Sequence, residues 1–503
     1  MELVYLVLSS IIFFLFFIRI LDLYRKRRMP PGPTGLPIIG NLLDVGPKPH
    51  ESLAKLAEKY GPLMTIRLGS VTSVIASTPD AAREILQRND EFCSGRNIPD
   101  AVTVLETHKV AMAWISPNEE WRTIRKALNI FLTHQHKLDT LRDLRQNVVS
   151  GMVDFLCNSG KTNVDIGKLA FAVALNMMSN TILSQNVTTY ESEDIGGFKT
   201  AVKTIMLTNG KFNIADIFPI LKPLDPQNIR GQSKTGYDWL HKMTRGFIDD
   251  RLKHRESKLS RFGDMLDSLL DYAEDHESDF KLLHVQTLLM ELFLAGTETS
   301  SNTTEWAMTE LLLNPDIFSK LRDEVTTIVD KDGIIQEAKI LELPYLHAVI
   351  KETMRLHLSV PLLIPHKTDA QVKLNNYIVP KDTQIMINAW AIARDPKYWD
   401  NPLMFNPERF MGSELDYKGQ NFEFLPFGSG RRMCPGIPLA YRVVSLMVAS
   451  LVYHFDWKLP YPKEEMDMSD IFGLTLLRAT PLLAAPIPTH IAEWVDSGEK
   501  RNI

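Results

Sequence analysis

One cysteine lies in the stretch Phe427-Gly428-Ser429-Gly430-Arg431-Arg432-Met433-Cys434-Pro435-Gly436. Glycines at 428, 430 and 436 let backbone approach something large and flat. A thiolate stays deprotonated only in an electropositive, tight setting, and a metal can supply the rest of its stabilisation. Arg432, two residues before the cysteine, can meet an anionic group on the same object. The constellation points to Cys434 as the axial thiolate of a haem iron, and the rest of the chain is read around this loop.

The other cysteines, Cys93 and Cys157, are far from Cys434 and from each other. No CxxC pair exists, which argues against a disulfide framework or a structural zinc site and fits a reducing, cytosol-facing location. A net charge of -5 and the absence of any recognisable nucleic-acid module exclude a nucleic-acid partner.

Residues 3–18, LVYLVLSSIIFFLFFI, carry no charge. Extended to Tyr24, the run approaches the roughly 20 residues of a spanning helix. Arg25-Lys26-Arg27-Arg28 follows it, which predicts an uncleaved anchor with the body in the cytosol. Pro30, Pro31, Pro33 and Pro37 then make a stiff hinge. The chain thus reads as an anchor over 1–24, a basic, Pro-rich hinge over 25–40 and a body over 41–503.

Within the body, periodicity predicts helices over 50–60, 79–88, most of 120–260, 283–313, 314–330, 341–357 and 438–453. Strands are expected over 63–67, 71–76, 360–364, 372–377 and 383–388. The expected fold class is mostly α with a minor β part, in a single large domain behind an N-terminal transmembrane helix.

Three further constellations carry chemistry. Ala295-Gly296-Thr297-Glu298-Thr299-Ser300 sits inside the long helix. Mid-helix glycine costs about 1 kcal/mol relative to alanine, and a nearby hydroxyl can bond back to the i−4 carbonyl. We expect a local opening there, with Glu298 and Thr299 relaying protons. Glu352 and Arg355, i and i+3, share a helix face, and Arg409 in Pro407-Glu408-Arg409-Phe410 can join them in a brace. Trp121 and Arg125, i and i+4, can face one anionic partner such as a haem propionate.

In order, these motifs read WxxxR, AGxET, ExxR with PERF, and FxxGxRxCxG. Together they resemble the cytochrome P450 family of haem-thiolate monooxygenases. The resemblance implies the cytochrome P450 fold, haem b (iron protoporphyrin IX) as cofactor, O2 and NADPH as co-substrates, and NADPH-cytochrome P450 reductase as electron donor. It implies Cys434 as iron ligand and Thr299, assisted by Glu298, as the group that delivers protons during dioxygen activation. Glu352, Arg355 and Arg409 then form the structural triad. Around the cofactor the resemblance places Trp121, Arg125, Ala295, Gly296, His366, Pro426, Phe427, Gly428, Arg432 and Gly436. Among these Trp121, Arg125 and Arg432 are propionate partners, with His366 standing where many members have arginine.

Pro31-Gly32-Pro33, Ser94-Gly95-Arg96, Asn213–Pro219 and Asp225-Pro226-Gln227 are similar to the plant microsomal group that includes geraniol 8-hydroxylases and ferruginol synthases. That likeness implies an endoplasmic-reticulum membrane protein acting on a monoterpenoid or diterpenoid; a branch of the group hydroxylates tyrosine in betalain synthesis. The common Leu-His-Pro-Pro after the ExxR helix is here Leu356-His357-Leu358-Ser359. By the same likeness, substrate meets Val102, Val104, Leu105, Phe212, Phe293, Val360, Leu362, Leu363, Leu474 and Leu476. These apolar side chains suit a lipophilic small molecule over a zwitterionic amino acid. Two rival functions are a reductase-independent haem-thiolate isomerase or dehydratase, and a non-enzymatic haem sensor. The Glu298-Thr299 pair speaks against both.

Overall fold

The computed structural model describes residues 28–489, except 161, 193–196, 258–259, 276–278 and 331–332. The expected anchor over 1–24 and the start of the hinge, 25–27, lie outside the described residues. The described chain divides into two compact units.

The first unit comprises the chain up to Asn97 together with Leu362–Ile392 and Ser429–Arg432. Its centre is a five-stranded sheet in the order Leu63–Leu68, Val71–Ala76, Gln384–Ile387, His366–Lys367 and Gly95–Arg96. Leu63–Leu68 and Val71–Ala76 form the hairpin expected from their β-branched content, and Gly69 takes the left-handed turn position. Val71–Ala76 runs parallel to Gln384–Ile387. The antiparallel register sets His366 opposite Arg96.

The expected strand over 360–364 does not form. Pro361 and Pro365 deny it ladder donors, and Leu363 takes a positive φ of 51°, so the strand begins only at His366. The expected strand over 372–377 is instead a hairpin, Val372–Leu374 with Tyr377–Val379, turned by Asn375 at φ 53°. The helix expected over 79–88 is α-helical only over Pro79–Arg83, where Thr78 caps the amide of Ala81; Glu84–Arg88 widens into a π turn.

The second unit, Ile98–Pro361 with Ala393–Gly428 and Met433–Ile503, is mostly helical. Asn118 caps Glu119–Leu128 by accepting from the amide of Trp121. Glu119 and Glu120 in the first turn and Arg125 and Lys126 in the last suit the helix dipole. Ile166–Leu183 and Ile437–His454 are apolar enough to cross a membrane, but 89% and 83% of their apolar windows are buried inside the protein. They are core helices, apolar all round because they are packed all round.

The 32-residue helix Leu282–Leu313 packs along Ile166–Leu183. Glycine leaves room for the end of a neighbouring side chain at two points. A Cβ at Gly296 would lie 2.2 Å from Cε of Met178, and one at Gly167 would lie 2.3 Å from a carboxylate oxygen of Glu305. The Ile437–His454 helix is tied in by a buried charge group. Arg145 donates through Nε to both carboxylate oxygens of Glu337 at 3.1 and 3.0 Å, and Arg442 approaches the same carboxylate at 3.8 Å.

Candidate active site

The cysteine loop is shaped by its own backbone. The amide of Cys434 donates to the carbonyl of Phe427 at 3.0 Å, and that of Gly428 donates to Leu425 at 3.2 Å. Gly428 and Gly430 both take positive φ, near 69° and 68°. A Cβ at Gly430 would sit 2.0 Å from the carbonyl oxygen of Leu86, so only glycine fits there. Pro426 and Phe427 are half-buried, with the Phe427 ring edge-on to Tyr417.

Gly436 precedes the first turn of Ile437–His454, and the amides of Gly436 and Ile437 donate toward the sulfur of Cys434. Burial pushes this thiol up, while the two amides and the charge of Arg125 pull it down. A helix N-terminus with inward amides is the setting that favours a thiolate once a cation meets it. Arg125 Nη2 donates at 2.7 Å to the carbonyl of Met433, the residue before the cysteine. Burial lowers the Arg125 pKa, and the sulfur opposes that shift. Trp121 stacks near this guanidinium, 5.7 Å from the ring centroid, and its indole N–H donates to the carbonyl of Met112 at 3.1 Å. Trp121, expected to face a propionate with Arg125, here bonds the Met112 carbonyl and lies beside the Arg125 guanidinium.

On Leu282–Leu313 the expected local opening is absent; the helix is continuous through Gly296. The back-bonding is present, with Thr299 Oγ1 donating to the carbonyl of Ala295 at 2.7 Å and Thr303 Oγ1 to Thr299 at 2.8 Å. Gly296 makes no break and leaves room for the end of the Met178 side chain. Ala295 is nevertheless exposed and Thr299 partly so, whereas Phe293, Thr297, Glu298 and Ser300 are buried. This stripe borders open space. The Thr299 hydroxyl donates its hydrogen bond to Ala295 and so keeps its oxygen lone pairs for an acceptor role.

Glu298 lies about 100° around the helix from Thr299. Its side chain is buried, and burial raises its pKa to about 7 against the pull of Lys199 and Lys203 and with the push of Glu305. A carboxyl held near neutrality can store and release a proton.

The brace forms as expected. Glu352 and Arg355 are both fully buried, joined by Nε to Oε2 at 2.7 Å and Nη2 to Oε1 at 2.8 Å. Arg409 Nε reaches Oε1 of Glu352 at 3.0 Å, and the amide of Asn406 reaches the same oxygen at 2.9 Å. Arg355 Nη1 also holds the carbonyls of Ala393 and Pro402 at 2.7 and 2.8 Å. One carboxylate and two guanidiniums thus clamp the segment that leads to the cysteine loop.

The Cytochrome P450 family model matches residues 30–483, a span that contains every one of these motifs. The chain belongs to the cytochrome P450 family. This P450 is 43% identical over 468 residues to Cytochrome P450 76T24 of Catharanthus roseus, covering 92% of this chain and 94% of the relative. It is 41% identical over 468 residues to a geraniol 8-hydroxylase of Swertia mussotii, with the same coverage, and 40% identical over 486 residues to a ferruginol synthase of Isodon rubescens, covering 95% and 99%. The P450 is an oxidoreductase of the monooxygenase type.

Within the first unit of this P450 lies a cationic cluster that the sequence reading assigned only in part. Arg432 Nε donates to the carbonyl of Ser94 at 2.9 Å. Arg96, buried, donates to the carbonyls of Ile364 and Pro365, the latter at 3.0 Å. Burial and the charge of Arg432 together drive the Arg96 pKa well down. Two neighbouring guanidiniums in such a place suit a carboxylate ligand.

His366 does not fill the role expected of it. Its Nδ1 lies 2.8 Å from the carbonyl of Cys93 and so carries the proton, while burial, Arg96 and Arg432 push its pKa far down. A neutral ring with that tautomer offers an anion only a lone pair at Nε2. Arg96 holds the cation instead. The sequence shows Ser94-Gly95-Arg96, but only the strand register brings Arg96 beside His366.

The residues fit a haem. The thiol of Cys434 has inward amides and a nearby cation, and the arginines supply donors suited to propionates. Among the expected pocket residues, Leu105, Phe212, Val360, Leu363 and Leu474 keep partial exposure, and Val102, Leu362 and Leu476 are nearly covered. Phe293 is fully buried between Phe198 and Phe247, with ring centroids 5.6 and 6.1 Å away. It belongs to the core.

Proposed function

We propose that this P450 is an endoplasmic-reticulum enzyme, anchored by residues 1–24, that inserts one oxygen atom from O2 into a monoterpenoid or diterpenoid. Electrons come from NADPH through a flavoprotein reductase. The observation that carries the reading is the sulfur of Cys434 at the amides of Gly436 and Ile437, with Arg125 beside it.

A haem held by Cys434 supplies the dioxygen activation. Arg125, which bonds the residue next to Cys434, is suited to a carboxylate of that group. Thr299 presents hydroxyl lone pairs to the open stripe of the long helix and can hold a water or a proton there. Glu298, near neutrality in its pKa, can return a proton to that stripe by side-chain rotation or through water. Val360, Leu474 and Leu476 offer an apolar wall suited to a hydrocarbon skeleton. The names of the relatives, geraniol 8-hydroxylase and ferruginol synthase, support the terpenoid class.

Reconstitution with a plant reductase tests the reading. Oxygenated product from a terpenoid panel, dependent on both NADPH and reductase, is expected. Turnover that persists without reductase would contradict it.

A further inference from the structure

Leu358-Ser359, where the sequence departs from the Pro-Pro common in the family, lies in the turn after the Pro344–Leu356 helix. Leu358 before it and Pro361 after it are buried, whereas Ser359 and Val360 are partly exposed. A proline at 359 would bring no side-chain hydroxyl; serine brings one.

The backbone that carries this hydroxyl is fixed by two linked hydrogen bonds. The amide of Leu476 donates to the Ser359 carbonyl at 2.8 Å, and Asn302 on the long helix donates through Nδ2 to the Leu476 carbonyl at 2.9 Å. Helix, turn and strand are locked together at this point. Ser359 Oγ lies 3.5 Å from Thr303 Oγ1. Thr303 spends its own proton on the carbonyl of Thr299, so in this contact Ser359 is the donor.

A separation of 3.5 Å is long for an O–H···O hydrogen bond, and among the described residues it is the only one the Ser359 hydroxyl makes. The hydroxyl therefore keeps acceptor capacity and can turn toward a ligand. Ala295, Thr299 and Thr303 follow one another at i, i+4 and i+8, on one face of the helix. Ser359 stands at the end of the stripe that begins with the exposed Ala295 and the partly exposed Thr299. Its nearest neighbours are apolar: Val360 is partly exposed, and Leu476, whose amide donates to the Ser359 carbonyl, is buried.

We propose that Ser359 is a specificity-determining residue that hydrogen-bonds an oxygen on the substrate. This inference rests on the terpenoid reading and narrows it to lipophiles that already carry an alcohol. One fixed polar point in an apolar wall orients a flexible skeleton without contributing much affinity by itself. The alcohol donates to Ser359 Oγ or accepts from it, and the hydrocarbon chain is then laid in one direction along the stripe.

The test uses the full-length, haem-loaded protein. Dissociation constants are read from the substrate-induced absorbance shift for an acyclic monoterpene alcohol and for the hydrocarbon of the same skeleton. Wild type, Ser359→Ala and Ser359→Thr are compared, and product position is determined with reductase present. Ser359→Ala is expected to weaken the alcohol by about three- to tenfold and to scatter the site of oxidation, with the hydrocarbon changed less than about twofold. Ser359→Thr, which keeps the hydroxyl, should restore alcohol binding. Equal weakening of both ligands, or no change for the alcohol, overturns the assignment of Ser359 alone. No shift by either ligand in the wild type overturns the terpenoid reading and this inference with it.

Discussion

Arg125 donates to the carbonyl of Met433 at 2.7 Å, so a helix some three hundred residues upstream in sequence holds the residue next to the cysteine. The same guanidinium is the cation that lowers the thiol of Cys434 against burial. One side chain therefore links loop geometry to loop electrostatics. Arg125→Leu should leave a folded protein that loses haem about tenfold faster, since both a hydrogen bond and a charge vanish. Haem content after gel filtration and transfer to apomyoglobin measure this. Arg125→Lys should recover only part of the retention, because a point charge lacks the planar fork.

Glu352 is the shared acceptor for Arg355, Arg409 and the amide of Asn406. Its removal leaves two guanidiniums without their carboxylate. Breaking such a buried pair costs about 3–5 kcal/mol, enough to prevent folding of a marginally stable chain. Glu352→Ala should give no haem protein. Arg409→Lys, at the more accessible end of the brace, should fold with a lower urea midpoint, followed by tryptophan fluorescence.

Among the described residues Thr299 bonds within its own helix, so Thr299→Ala should not disturb the fold. It should lower product formed per NADPH oxidised by at least about tenfold if the hydroxyl places a proton. Parallel assay of NADPH, peroxide and product reads this directly.

Glu298 has a pKa of about 7, raised above the usual carboxyl value of 4.5 by burial. The folded state then binds more protons than the unfolded state between those two values. Its contribution to stability is full below 4.5 and is lost as pH rises through 7. Coupling should fall over the same upper limb, as the proton-donating form is depleted. Glu298→Gln should flatten both limbs near neutral pH, measured as thermal midpoint and product yield against pH.

The parts of this site that were legible in sequence are those whose chemistry is local. The cysteine loop carries its glycines, arginine and thiol within ten residues, and Glu352 and Arg355 share a face by helical spacing alone. Long-range packing hid the rest. Whether Gly296 loosens its helix or leaves room for a neighbouring side chain depends on Met178, far upstream, and packing prevails. The apolar run over 360–364 looked like a strand, but two prolines and a left-handed Leu363 turn it aside. Arg96 becomes a cationic partner, and His366 a neutral one, only through a register that pairs the short strands Gly95–Arg96 and His366–Lys367. The indole of Trp121 was expected to face an anion, and the carbonyl of Met112 takes its proton.

The central claim is that Cys434 supplies the thiolate ligand of a haem. The most direct measurement is the carbon monoxide difference spectrum of the reduced protein, wild type against Cys434→Ser, with circular dichroism as the check on folding. The wild type is expected to show the thiolate-type band and the folded serine variant to lack it. A folded Cys434→Ser protein that keeps the thiolate-type band would contradict the assignment.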